Sequence, residues 1–169
     1  MTQQIGLLPL INQQVQTLIL GSLPSQLSAK KQQYYGNPRN NFWSIMASLY
    51  PSISMDNEQK REQQLLKQGI GLWDVIASAD RRGSSDSSIK QSSAQINEFN
   101  QLYQQYPNIS FVLFNGKTAQ QYYQKHVMPT LSPQQKNLNY DLLPSSSPAH
   151  AQLSCQQKQV IWKKHLLRY

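Results

Sequence analysis

The span Tyr34-Tyr35-Gly36-Asn37-Pro38-Arg39-Asn40-Asn41-Phe42-Trp43 brings flat aromatic faces, a proline turn and side-chain amides to the start of an amphipathic run. Aromatic rings suit a core, and they equally suit stacking on a flat ligand. An asparagine just ahead of a helix can cap its free N–H groups. It can also turn its amide outward, toward something bound at the positive end of the helix. Composition leaves both readings standing: a well-capped core helix, or a stacking pocket beside a polar site. Asp74, in Leu72-Trp73-Asp74-Val75, ends an apolar run. Its carboxyl accepts hydrogen bonds when ionised and donates only when protonated, so it can read a polar ligand edge or merely close an Asx turn. Ser145, Ser146 and Ser147 stand in a proline-bounded loop ahead of His150. Their hydroxyls suit phosphate contacts, or plain solvation.

Two familiar chemistries fail on framing. Phe114-Asn115-Gly116-Lys117-Thr118 resembles the second half of a phosphate-binding loop, but Phe111 stands where that motif needs its first glycine. None of Ser145, Ser146 and Ser147 sits in a Gly-x-Ser-x-Gly elbow, which argues against an ester hydrolase. His126 and His165 fall in helical stretches, whereas His150 lies in a loop more open to function.

The elements that must position these groups are those of one domain spanning 1–169. At 169 residues and 38% hydrophobic the chain supports one core. The run Thr17 to Pro24 is a short buried strand ended by Gly and Pro, and a helix with Phe42, Ile45, Met46 and Leu49 on one face starts at Asn40 or Asn41. Residues 56–68 form a surface helix, 69–77 a second strand or extended segment, and 80–94 a polar loop without periodicity. Ile96, Phe99, Leu102 and Tyr103 mark a helix. The segment 109–116 is the clearest central strand, and Lys117 to Val127 returns as a helix. A last strand runs into the Ser/Pro loop of 138–150, and a helix carrying Val160, Ile161, Trp162, Leu166 and Leu167 follows. Alternating strands and helices predict an α/β domain around a mostly parallel sheet, whose ligands bind at the strand ends. Three loops stand there: Gly21 to Asn40, Trp73 to Ser93, and Pro144 to His150.

Charge narrows the partner. Lys and Arg outnumber Asp and Glu by 16 to 8, a formal net charge of +8 that favours an anionic partner, nucleic acid first. No apolar run approaches the roughly 18 residues of a membrane span, and the N-terminus lacks the basic stretch of a signal peptide. A cytoplasmic location without membrane attachment is the expectation. A single cysteine, Cys155, excludes an internal disulfide and any site built on several cysteines. No metal or cofactor is expected.

Taken together, Gly-Ser-Leu-Pro-Ser-Gln-Leu-Ser from Gly21, Gln33 to Trp43, Gly69 to Ile76, Phe114 to Ala119 and Leu143 to His150 resemble the uracil-DNA glycosylase superfamily, and within it the hypoxanthine-DNA glycosylase branch. The resemblance runs in order from the first strand to Trp162. It implies a three-layer α/β/α sandwich around a four-stranded, mainly parallel sheet. It also implies hydrolytic removal of hypoxanthine or uracil from DNA without a Schiff-base lysine, by a monomeric enzyme that flips the base out of the stack. Tyr35 matches the ring that stacks on the flipped base, Arg39 helps to shape the loop behind it, and Asn40 carries the catalytic load. Asp74 falls where relatives read the base edge. Ser22 and Leu23 fall at the base pocket, with Leu23 in place of an Asn that orients water in mismatch-specific relatives. The Ser145 to Ser147 loop matches the segment that grips DNA in the minor groove. Arg81, Arg82, Lys90 and Lys117 are candidates for phosphate contacts, and His150 has no assigned role. The alternative is a catalytically silent nucleic-acid-binding module. Leu23 favours it, and Asn40 and Asp74 oppose it, since a pure binder needs no polar groups in a base-sized pocket.

Overall fold

The computed structural model describes residues 2–167. The chain runs through β1 (Thr2–Ile5), β2 (Thr17–Gly21), α1 (Gln26–Lys31), α2 (Phe42–Leu49), α3 (Glu58–Lys67), β3 (Ile70–Asp74), β4 (Ile76–Arg81) and β5 (Gln95–Ile96). It continues through α4 (Phe99–Gln105), β6 (Phe111–Asn115), α5 (Lys117–Tyr122), α6 (Pro133–Lys136), β7 (Asn139–Leu143) and α7 (Cys155–Leu166).

β2, β3, β6 and β7 form the main sheet in the order β3-β2-β6-β7, and every pairing is parallel. Parallel strands are covered on both faces, which is why β2, β3 and β6 read as near-continuous apolar runs. The period of two still sorts their side chains. Leu18 and Leu20 of β2 join Val112 and Phe114 of β6 on one face, under Phe99, Leu102 and Ala119 of α4 and α5. Ile19 and Leu113 join Ile70 and Leu72 on the other, under Phe42, Ile45 and Met46 of α2, Leu65 of α3 and Trp162 of α7. Helices thus flank both faces of the sheet, the three-layer arrangement that the resemblance implied.

The structure departs from the sequence reading at several points: β1 was not anticipated, and Ile96, expected on the helix with Phe99, Leu102 and Tyr103, lies in β5 ahead of α4. Residues 69–77 are not one strand: β3 ends at Asp74, and after Val75 the chain enters β4 in a second, antiparallel sheet of order β1-β4-β5. The polar stretch 80–94 begins inside β4 and holds two short helical turns, Asp86–Ser88 and Gln91–Ser93. The loop from Gly21 to Asn40 contains α1, capped by the Ser25 side chain, which accepts from the Ser28 N–H. Among the described residues no helix is long and apolar enough to cross a membrane.

Candidate active site

α2 and α3, which lie between β2 and β3 in the chain, pack on one face of the sheet, and α5, which follows β6, packs on the other. The chain therefore diverges at the carboxyl ends of the adjacent strands β2 and β6, and a crevice opens where ligands bind in open α/β sheets. A cleft of about 830 Å³ occupies that place, with the last residues of all four parallel strands, Gly21, Asp74, Asn115 and Leu143, in its lining.

The floor is built around Gly21. A Cβ at this position would come within 2.5 Å of Asp74 Oδ1 and 3.5 Å of the Tyr35 hydroxyl, so only glycine lets the two groups converge. Tyr35 has φ of 53°, in the left-handed region, which turns its ring onto Phe42 with centroids 4.0 Å apart and planes 19° from parallel. With one face stacked on Phe42, Tyr35 lines the cleft. Its hydroxyl accepts a hydrogen bond from Asn115 Nδ2 at 3.0 Å. Burial, with the Asp74 carboxyl nearby, raises the phenol far above its ordinary range, so it stays protonated. Asp74 is 4% exposed, and its Oδ2 finds no hydrogen-bond partner among the described residues. Burial first, and then the charge of Asp86, push its carboxyl up to about 7, with Arg81 opposing the rise.

Asn40 stands at the rim. Its Oδ1 accepts from the Phe42 N–H at 3.0 Å, while Asn41, the residue that flanks α2, makes no side-chain cap. With the oxygen engaged, what Asn40 offers the cleft is its amide NH2. The Ser/Pro loop forms the facing wall. Asn115 clasps Ser146 through Nδ2 to Ser146 Oγ and from Ser146 N–H to Asn115 Oδ1, both at 2.8 Å, and the Asn41 N–H donates to the Ser146 carbonyl at 3.0 Å. Ser146 is fully buried and serves as an internal strut, which corrects its expected role in DNA contact. Half-buried Ser145 and Ser147 line the cleft, as does His150, whose N–H donates to the Ser147 carbonyl. Gly116, at φ of 99°, would put a Cβ 3.0 Å from that of Ser145, so a side chain there would press on this wall. From behind, α7 reaches the loop twice: Trp162 Nε1 donates to the Pro144 carbonyl at 2.9 Å, and Lys158 Nζ to the Ser147 carbonyl at 3.3 Å. Lys158 is 1% exposed, and burial lowers the pKa of its amine.

The third wall comes from the stretch expected to be a featureless loop. Asp86 lines the cleft and accepts from Ser22 Oγ at 2.7 Å. Burial raises its carboxyl above the ordinary value, while the Ser22 hydrogen bond and Arg81 oppose the rise. Arg81 is no phosphate contact: its side chain is fully buried, donates to the carbonyls of Leu23 and Pro24 and to Gln4 Oε1, and lies 3.8 Å from Asp86. Leu23 lines the cleft but packs with Ile76, Ala79 and Ile89. Arg39 and Lys117 are exposed cations in the cleft lining, whereas Arg82 and Lys90 are exposed outside it. Among the described residues no group of three or more His, Cys, Asp or Glu side chains is disposed to hold a metal ion.

Sequence reasoning thus missed Asn115, Asp86 and Lys158. Only Asn115 carried a signal, as the polar residue that ends an apolar strand just before a glycine. Similar chains agree with the geometry. Residues 8–166 match the Uracil DNA glycosylase superfamily. A Methanosarcina barkeri protein named hypoxanthine DNA glycosylase is 42% identical over 118 residues, 69% of this chain and 73% of its own. Its namesake from Methanosarcina acetivorans is 36% identical over 152 residues, 88% of this chain and 89% of its own. A solution NMR structure of a candidate uracil DNA glycosylase from Methanosarcina acetivorans superposes with a TM-score of 0.77 at 33% identity, over 99% of this chain and all of that one. A cleft at the mouth of a four-stranded parallel sheet and a match over nearly the whole length lead to one conclusion: the chain belongs to the uracil DNA glycosylase superfamily.

Proposed function

We propose that this DNA N-glycosylase excises hypoxanthine from duplex DNA by hydrolysis of the bond between base and sugar, leaving an abasic site. The observation that carries the assignment is the convergence of Tyr35, Asp74 and Asn40 on one cleft, in a chain whose relatives include proteins named for hypoxanthine excision. A base inside a duplex is out of reach of such a cleft, so the nucleotide is flipped out and its ring stacks on Tyr35. Asp74 meets the polar edge of the base. The Asn40 amide donates at the rim, to the base or to the attacking water. Holding water and base in line supplies much of the rate in such a displacement, because the transition state is a separated charge that needs positioning more than bond-making. The Ser/Pro loop seats against the backbone beside the lesion, with Ser145 and Ser147 as its contacting hydroxyls. Lys117 stays at the rim as a phosphate contact, and no lysine takes part in a covalent intermediate.

Duplex oligonucleotides bearing a single inosine or a single uracil test the assignment. Strand breaks on the inosine substrate that need alkali after incubation are the expected result. Cleavage confined to uracil would move the assignment to that base, and breaks without alkali would show lyase chemistry.

A further inference from the structure

Asp74 poses a problem of charge. As a carboxylate it would be an ion nearly free of solvent contact, with one oxygen unpaired. An uncompensated buried charge is among the costliest groups in a protein, and it is ordinarily relieved by taking up a proton. The neighbours do not relieve it otherwise. Asp86, beyond β4, adds a second negative charge, and Tyr34 and Tyr35, from the segment after α1, bring only phenols that burial keeps neutral. Arg81 of β4 is the one cation among them, and it is engaged by Gln4, Asp86 and the carbonyls of Leu23 and Pro24. Asp74 is thus held far closer to the neutral acid than an ordinary carboxyl, its buried Oδ2 without a partner among the described residues, in the lining of the cleft that takes the base.

Building on the assignment of hypoxanthine excision, we propose that Asp74 is the general acid of the reaction and protonates the departing base. The bond from the sugar's C1′ to N9 breaks, and its electron pair leaves with the purine. The Asp74 proton passes to a ring nitrogen, so the base departs neutral and not as an anion. Water then adds to the cationic C1′ and releases one proton, which restores the Asp74 carboxyl. The sum is nucleotide plus water giving free base plus abasic sugar. Help on the leaving-group side has particular value here, because apolar Leu23 at the mouth of β2 can neither orient nor deprotonate water.

The direction of the pH dependence follows. The acid is competent while protonated, and burial with Asp86 nearby sets its midpoint at about 7. The single-turnover excision rate of the wild-type protein on an inosine duplex should fall through that midpoint, approaching tenfold per unit of pH above it. Asp74→Asn keeps the shape and a hydrogen-bond donor but has no proton to transfer. It should lose about 100-fold or more of the plateau rate and show no alkaline fall, with duplex affinity and melting temperature near wild type. Wild-type excision that is robust and flat from about pH 5.5 to 9 would overturn the acid role while leaving the base assignment intact, and it needs no variant to fold. An Asp74→Asn rate within about threefold of wild type would overturn it as well, as would an alkaline fall that persists in the variant. Failure to excise hypoxanthine at any pH would remove both proposals together.

Discussion

Asn40 divides its amide between two tasks. Oδ1 takes the Phe42 N–H and so belongs to the start of α2, while the NH2 half is left for the cleft. The division separates two variants. Asn40→Ala loses the cap and the donor together, and should lower stability by about 0.5–2 kcal/mol as well as excision. Asn40→Asp keeps the acceptor and loses the donor, so its melting temperature should match wild type while single-turnover excision falls. An Asp variant with full excision would reduce Asn40 to a cap. In sequence the two tasks looked like alternatives, because a residue type says nothing about which atom of an amide is already engaged. Asp74 was legible as a polar group at a strand end. That its Oδ2 has no hydrogen-bond partner among the described residues, and that its carboxyl is raised, depends on Tyr35, Asp86 and Arg81, which approach it from separate segments.

α7 sits behind the Ser/Pro loop and holds it by side chains one helical turn apart, Lys158 to the Ser147 carbonyl and Trp162 to the Pro144 carbonyl. Residues four apart share a helix face, so the pair acts as a bracket. Lys158→Met keeps the volume and removes the ammonium. We expect KM for the duplex to rise up to about tenfold, the equivalent of one lost hydrogen bond of roughly 1.4 kcal/mol, with kcat changed less. Stability should hold or rise slightly, because a buried charge is exchanged for apolar packing. A melting temperature that falls together with kcat would make Lys158 a structural residue only. Elements were the most legible scale. β2 and β6 announced themselves as apolar runs closed by Gly21 and Gly116, and α2 by the spacing of Phe42, Ile45, Met46 and Leu49. β4 was hidden because Ile76 to Arg81 continues the run of β3 without a turn signal, and only pairing with the distant β1 and with β5 sets it apart.

The net charge of +8 is a property of the whole molecule, and its use depends on where the cations lie. Arg81 and Lys158 are interior, so they draw no counterions from DNA, whereas Arg39 and Lys117 stand exposed in the cleft lining. Affinity for duplex DNA should therefore fall steeply with salt, and Lys117→Ala or Arg39→Ala should each lower the slope of log K against log salt by about 1. Slopes identical to wild type in a salt titration would return both residues to solvent. An Arg-Arg pair in a polar stretch reads as two surface cations. The structure assigns them opposite fates, because the acceptors of Arg81 are carbonyls 57 and 58 residues away in sequence.

The left-handed backbone at Tyr35 bears on the entropy of binding. A non-glycine residue held at such a φ costs about 1–3 kcal/mol, and the conformation persists only where its surroundings over-determine it. Here Phe42 fixes the plane of the ring and Asn115 fixes its hydroxyl. Immobilising a mobile side chain on association ordinarily costs about 0.5–1.5 kcal/mol. Phe42 and Asn115 thus hold the Tyr35 ring in place within the protein itself, so a base stacking on it as proposed would cost that side chain little further conformational freedom.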